Sequence, residues 1–197
     1  MAWTTPRTWV TAEVVTASVF NTHIRDNLED LFDRAHTKPN LTWLATSNEP
    51  PAVDPATPVF RNTHPLLNFD DATKEYALFS GVLAPTYTNG GLTVELHWMA
   101  ATATTNAVKW DVDIDAIASE GHDIDRTTWS PVQTVTDTCA SASGELIMST
   151  LTYTHGAAMG GLLGGDMCRV RVARDGSASG DTMSGDAQLY KVVLRET

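Results

Sequence analysis

Two periodicities divide this chain. Across residues 17–35 the apolar positions Ala17, Phe20, Ile24, Leu28, Leu31 and Ala35 recur at steps of three or four, which is the stripe of an amphipathic helix. Thr16 stands where an N-cap is needed. Pro39 disfavours helical geometry at Lys38, so the helix is expected to end near His36. Asp26, Glu29, Asp30 and Asp33 fill the opposite face. From residue 59 onward the period falls to two. Leu92, Val94, Leu96 and Trp98 alternate with Thr93, Glu95, His97 and Met99, and Val108, Trp110, Val112 and Ile114 alternate with Lys109, Asp111, Asp113 and Asp115. Both runs predict half-buried strands. Further strands are predicted over 59–62, 75–83, 132–136, 145–154, 167–174 and 187–195, separated by turn-forming Asn-Gly, Ser-Gly, Gly-Gly and Asp-Gly pairs. No long amphipathic helix falls between strands, which excludes a parallel βαβ sheet. The expected fold is mostly β: a jelly-roll-like antiparallel sandwich preceded by an N-terminal arm and one amphipathic helix.

Pro39, Pro50, Pro51, Pro55 and Pro58 predict an extended linker over 37–58. That divides the chain into an anchoring or oligomerising arm and helix (1–36), the linker, and the sandwich (59–197). A helix of about five turns is marginal alone, so its stripe must pack on the domain or on copies of itself. Trp3 and Trp9 also need cover, either on their own domain or on another subunit.

Charge narrows the partners. Lys plus Arg number 13 against 24 Asp plus Glu, a formal net charge of −11. Such a chain lacks the footprint of a nucleic-acid binder and is repelled by anionic membranes. No apolar run suits membrane insertion, and no secretory signal is expected. Cys139 and Cys168 form no C-x-x-C and no zinc spacing, so two free thiols are expected, with Cys168 buried in a strand.

Catalytic motifs are missing. The histidines show no H-E-x-x-H, and there is no phosphate-binding loop, no G-x-G-x-x-G and no G-x-S-x-G. No catalytic residue is assigned and an enzyme is not expected. Asp111, Asp113 and Asp115 open like an EF-hand loop, but Ala116 and His122 stand where Gly and Glu are required. They read instead as the wet face of a strand. The loop from Asp175 to Asp186 places Asp175, Ser177 and Ser179 at positions 1, 3 and 5, Gly180 at 6 and Asp186 at 12. Those are relaxed calcium-loop spacings, and equally the residues of a plain hairpin loop. Calcium there is the one cofactor candidate. Among the six Trp, Trp98 and Trp110 sit among apolar neighbours as core, while Trp43 and Trp129 fall in linker or loop and are candidates for stacking on sugars.

Residues 9–28 read W-x-x-x-E-x-V-T-A-x-x-x-N-x-x-x-R-D-N-L, from Trp9 and Glu13 to Asn21, Arg25, Asp26, Asn27 and Leu28. This resembles an N-terminal motif of tailed-bacteriophage virion proteins. The rest of the chain is similar to a domain of that group through Tyr87 and the run Gly90-Gly91-Leu92-Thr93-Val94, Val108 to Trp110, Arg174-Asp175, Asp181-Thr182 and Gly185-Asp186-Ala187. The resemblance implies a non-enzymatic virion structural protein, a capsid-decoration, head-fibre or tail-fibre subunit. It implies a homotrimer attached to a phage capsid or tail protein. Trp3, Trp9, Phe20, Ile24, Leu28 and Leu31 would then be interface residues. Two alternatives stand beside it: a receptor- or carbohydrate-binding tail module that takes a host surface glycan, and an envelope-sugar hydrolase.

Overall fold

The computed structural model describes residues 4–35, 40–117, 122 and 128–197, with the side chains of 32–35 outside the description. Two compact units result, Met1–Lys38 and Pro39–Thr197.

The first unit is a short arm and a helical run. The run comprises α1 (Ala17–Phe20), a π-turn over Asn21–Arg25 and α2 (Asp26–Ala35). Thr16 caps it as expected: its Oγ1 accepts from the Val19 amide at 3.3 Å. The π-turn was not foreseen. Its i→i+5 closure holds more residues than an α-turn, which suits the two successive four-residue steps Phe20–Ile24–Leu28. The arm is tied down by polar groups. The Asn27 amide accepts from Thr4 N at 2.9 Å and donates to Thr4 O at 2.8 Å, pairing like a strand with the backbone. Arg7 pairs with Glu13 and lies 5.1 Å over the Trp9 ring.

The second unit is an antiparallel β-sandwich of jelly-roll type. One sheet has the order β2 (Thr57–Arg61), β3 (His64–Phe69), β10 (Ala187–Glu196), β5 (Leu92–Ala100), β8 (Ile147–Tyr153), with β1 (Asn40–Leu44) also on β10. The other has the order β4 (Lys74–Val82), β9 (Met167–Asp175), β6 (Ala107–Ile117), β7 (Gln133–Thr138). From β3 onward the chain crosses between sheets at nearly every connection. Strand β10 changes partner along one edge: Ala187–Leu189 face β3, and Lys191–Arg195 face β1. A bulge at Tyr190 marks the change and shifts the register against β5.

Two expectations are corrected. Residues 37–58 are not linker throughout, because Asn40–Leu44 form β1 and pair with Lys191–Arg195. Trp43 is accordingly not exposed: it is 7% accessible, packs on Phe79 and donates through Nε1 to Ser80 O at 2.8 Å. The strand His64–Phe69 was also missed, since Pro65 masks its pattern. The two-residue Asn62–Thr63 turn, with Asn62 at φ +54°, closes it onto β2 as a hairpin.

The core is where the alternation placed it. Leu92, Val94, Leu96 and Trp98 meet Val108, Trp110, Val112 and Ile114 between the sheets. The Trp98 and Trp110 rings lie edge to face at 5.7 Å, and Phe69 meets Trp110 at 5.1 Å. Cys139 and Cys168 are both buried thiols, and burial pushes Cys168 up to about 12. At one rim the fully buried Arg174 uses every donor. Nε and Nη2 hold both oxygens of Asp181 at 2.9 Å, and the rest go to Phe69 O, Met183 O and Gly185 O. This one side chain fixes the loop between β9 and β10.

Candidate functional site

The outer face of the four-stranded sheet carries the densest chemistry. Strand β6 turns its apolar residues inward, so Lys109, Asp111, Asp113 and Asp115 face outward. Strand β9 does the same with Arg169 and Arg171, and β4 with Lys74, Tyr76 and Leu78. Register sets Asp113 opposite Arg171 and Asp115 opposite Arg169. It sets Lys74 opposite Asp175.

These aspartates are not a wet face. Asp111, Asp113 and Asp115 are all buried, Asp113 to 2% accessibility. The charges of Asp111 and Asp113 are instead neutralised sideways. Arg171 Nε donates to Asp113 Oδ2 at 2.9 Å, and Nη2 lies 2.9 Å from the same oxygen as an ion pair. Lys74 Nζ donates to Asp111 Oδ2 at 2.8 Å, and Thr134 Oγ1 to Asp111 Oδ1 at 3.0 Å. Burial pushes the Asp113 carboxyl above the usual carboxylate range, against the opposing pull of Arg171. Burial works to lower Lys74, but Asp111 and Asp175 outweigh it and hold its ammonium above the ordinary value.

Above this layer lie two aromatic rings. The Arg171 guanidinium sits 4.5 Å from the Trp129 ring centroid and 5.3 Å from that of Tyr76. Arg169 approaches Trp129 at 5.7 Å, and Lys74 approaches Tyr76 at 5.9 Å. Such contacts are worth about 0.5–2 kcal/mol each and hold the rings in place. Beside them opens a hollow of about 440 Å³, lined by Pro51, Val53, Asp54, Tyr76, Trp129 and Arg171 among others. Fixed aromatic faces next to an arginine and a carboxylate suit a ligand with both apolar faces and hydroxyl edges.

The sequence singled out Trp129 from this group and missed Tyr76, Arg169 and Arg171. A signal was present: Arg169-Val170-Arg171 alternates with the same period as Asp111-Val112-Asp113-Ile114-Asp115, so the two strands are complementary in charge once paired.

The other expected site residues lie elsewhere. In the calcium-loop candidate, Asp175 accepts from Ser177 Oγ at 2.7 Å and faces Lys74 at 3.8 Å. Ser179 is exposed. Asp186 accepts from Asn68 and lies beside Asp70 and Asp71. Those three are the one set of His, Cys, Asp or Glu among the described residues with ligand atoms all within 4.8 Å. In the N-terminal unit Phe20, Leu28, Leu31 and Trp9 are exposed and Ile24 is half-buried. Trp3 lies outside the described residues.

No family model matches the chain, and no curated protein does. Among solved structures it is similar to the CBM36-1 domain of a multidomain xylanase from the hindgut metagenome of Trinervitermes trinervoides, with 10% identity, 80% of this chain and 98% of that one covered, and a TM-score of 0.46. It is similar to the C-terminal CBM6 of LamC, a marine laminarinase from Zobellia galactanivorans, with 10% identity, 79% and 98% covered, and a TM-score of 0.47. A third is the carbohydrate-binding module CBM6cm-2 of Cellvibrio mixtus lichenase 5A in complex with cellotriose, with 12% identity, 80% and 97% covered, and a TM-score of 0.45.

Proposed function

We propose that this chain is a non-enzymatic carbohydrate-binding module, displayed on a phage virion by its N-terminal unit. The observation that carries the binding half is the pair of rings, Tyr76 and Trp129, clamped around Arg171 at the mouth of a hollow of about 440 Å³. Sugar rings stack their C–H faces on such surfaces, while Arg171 and Asp54 offer a donor and an acceptor to hydroxyl groups. Hydrolysis is disfavoured on geometry. Glycosidases need two carboxyl groups flanking the bond, and among the described residues lining the hollow Asp54 alone is acidic.

The attachment half rests on the resemblance of residues 9–28 to virion proteins. It is supported by the exposure of Phe20 at 53% and Leu28 at 60% on a helix too short to stand alone. A homotrimer docked on a capsid or tail protein would cover them. In this reading the sandwich meets a host surface glycan and the helix meets the virion.

The test is titration of the full chain with neutral oligosaccharides by calorimetry. Trp129→Ala is expected to weaken binding by tenfold or more, about 1.4 kcal/mol, while the loss of its Arg169 and Arg171 contacts lowers the melting temperature by several degrees and leaves the chain folded at the temperature of the titration. A chain that binds no glycan, or a Trp129→Ala variant that binds as tightly as the parent, would remove the proposal.

A further inference from the structure

The opposite sheet carries a second cleft that the glycan site does not use. Its volume is about 340 Å³, within the roughly 300–1,000 Å³ of small-molecule sites. Its walls are Leu66, Met99, Leu146 and the Tyr190 ring, with Arg61, Asn62 and His64 as polar members. Tyr190 is the bulged residue of β10, and its ring meets His64 edge to face at 6.2 Å. No acidic residue lines the cleft among the described residues, although the chain carries a net charge of −11.

Arg61 is exceptional in this molecule. The described arginines Arg7, Arg25, Arg169, Arg171, Arg174 and Arg195 each pair with a carboxylate. Arg61 pairs with none among the described residues. It is nevertheless held firmly by one nitrogen. Nη1 donates to Ala101 O and to Gln188 Oε1, both at 3.1 Å. Gln188 is oriented in turn, since its Nε2 donates to Asn68 Oδ1 at 3.0 Å while Asn68 Nδ2 donates to Asp186. That chain of amides fixes which end of Gln188 meets the guanidinium.

The Nε and Nη2 edge makes no hydrogen bond to a described residue. Gly144 sits beside it and presents no side chain. A methyl group at Gly144 would lie 2.4 Å from Nη2 and 2.6 Å from Nε, and Gly144 adopts φ +80°, so backbone and space both call for glycine there. Arg174 shows what this edge binds: its Nε and Nη2 take the two oxygens of a carboxylate.

We propose that the Arg61 cleft is a binding site for a small carboxylate with an apolar or aromatic body. The carboxylate takes the open Nε and Nη2 edge, and the body packs on Leu66, Met99 and Tyr190. A planar two-oxygen anion matches that edge, and the apolar walls reject a small hydrated ion.

The experiment is a pair of titrations of the ¹⁵N-labelled full chain, followed by amide shifts. One uses phenylacetate and the other phenylacetamide, which keeps the ring and removes the charge. Phenylacetate is expected to shift the amides of Arg61, Gly144 and Tyr190 and to bind about tenfold or more tightly than the amide. Arg61→Gln should abolish that preference, and Arg61→Lys should leave only part of it. The unmodified chain decides the matter even if a variant fails to fold. Equal binding of the two compounds, or no shift at these amides from phenylacetate at about 10 mM, overturns the proposal. Neither outcome bears on glycan binding at Trp129, which lies on the other sheet.

Discussion

The two units of this chain are built inside out from one another. In the sandwich, Trp98, Trp110, Phe69 and their aliphatic neighbours fill the interior, and the buried Asp113 and Arg174 are held in ion pairs with Arg171 and Asp181. In the N-terminal unit the buried described residues are Asn27 and Asp30, while Phe20, Leu28 and Leu31 face outward. A sandwich of that kind is stable by itself, because burial of apolar area drives it. Among the described residues of the N-terminal unit no apolar side chain is buried. Asn27 and the Arg7–Glu13 pair tie down its arm, and Phe20, Leu28 and Leu31 stay exposed. The polar residues Asn27, Arg7 and Glu13 thus serve the unit's own fold, and the exposed apolar ones are the surface on which the proposed assembly rests.

The sharpest way to break this contrast is to open a buried ion pair of the sandwich. Arg174→Ala leaves Asp181 buried and unpaired and frees three carbonyls. The expected loss is about 3–5 kcal/mol, read as a fall of roughly 10 °C or more in melting temperature by circular dichroism. A fall of only a degree or two would mean that the rim loop contributes nothing and that the sandwich rests on its apolar core alone.

Charging the helix should do the reverse. Leu28→Asp with Leu31→Asp adds polar groups where the surface is already exposed, so the melting of the sandwich is expected to stay within about 0.5 kcal/mol of the parent. The mass in solution should change instead. Light scattering is expected to give about three times 21.3 kDa for the parent and the single-chain mass for the variant. A variant that remains trimeric would move assembly to the sandwich and leave the helix for the virion.

What the sequence made legible follows the same division. Strands β5 and β6 alternate for nine and eleven residues, long enough for period two to stand out. Strand β1 has five residues behind a proline, and β3 carries one, so turn chemistry outweighed their apolar positions. The candidate site was less legible for a different reason. Its rings and charges come from β4, β6, β9 and the segment before β7. Tyr76, Trp129 and Arg171 converge only through strand register, which no local pattern encodes. The same register buried three apparently solvated aspartates and made two of them, Asp113 and Asp111, partners of Arg171 and Lys74.

The contrast has one soft spot, where the sandwich holds carboxylates against each other. Asp186 is pushed above its usual range by burial, and further by Asp70 and Asp71. A carboxylate whose folded pKa exceeds the unfolded value of about 3.9 is penalised in its ionised form, so that penalty is full at neutral pH and gone below the unfolded value. Asp186→Asn removes the charge and keeps an oxygen for the Asn68 amide. It is therefore expected to stabilise the chain at pH 7 by a few tenths of a kcal/mol, the smallest effect predicted here. The gain should shrink as pH falls and vanish by about pH 3.5. Asp70 and Asp175 are shifted the other way, by backbone amides and by Ser177 respectively, and so lose stabilisation over the same range. Both chains share that loss, and the difference between their urea midpoints isolates Asp186. A variant less stable than the parent at pH 7 would mean that the charge of Asp186 is needed, and that its attraction to Arg174 outweighs the crowding by its acidic neighbours.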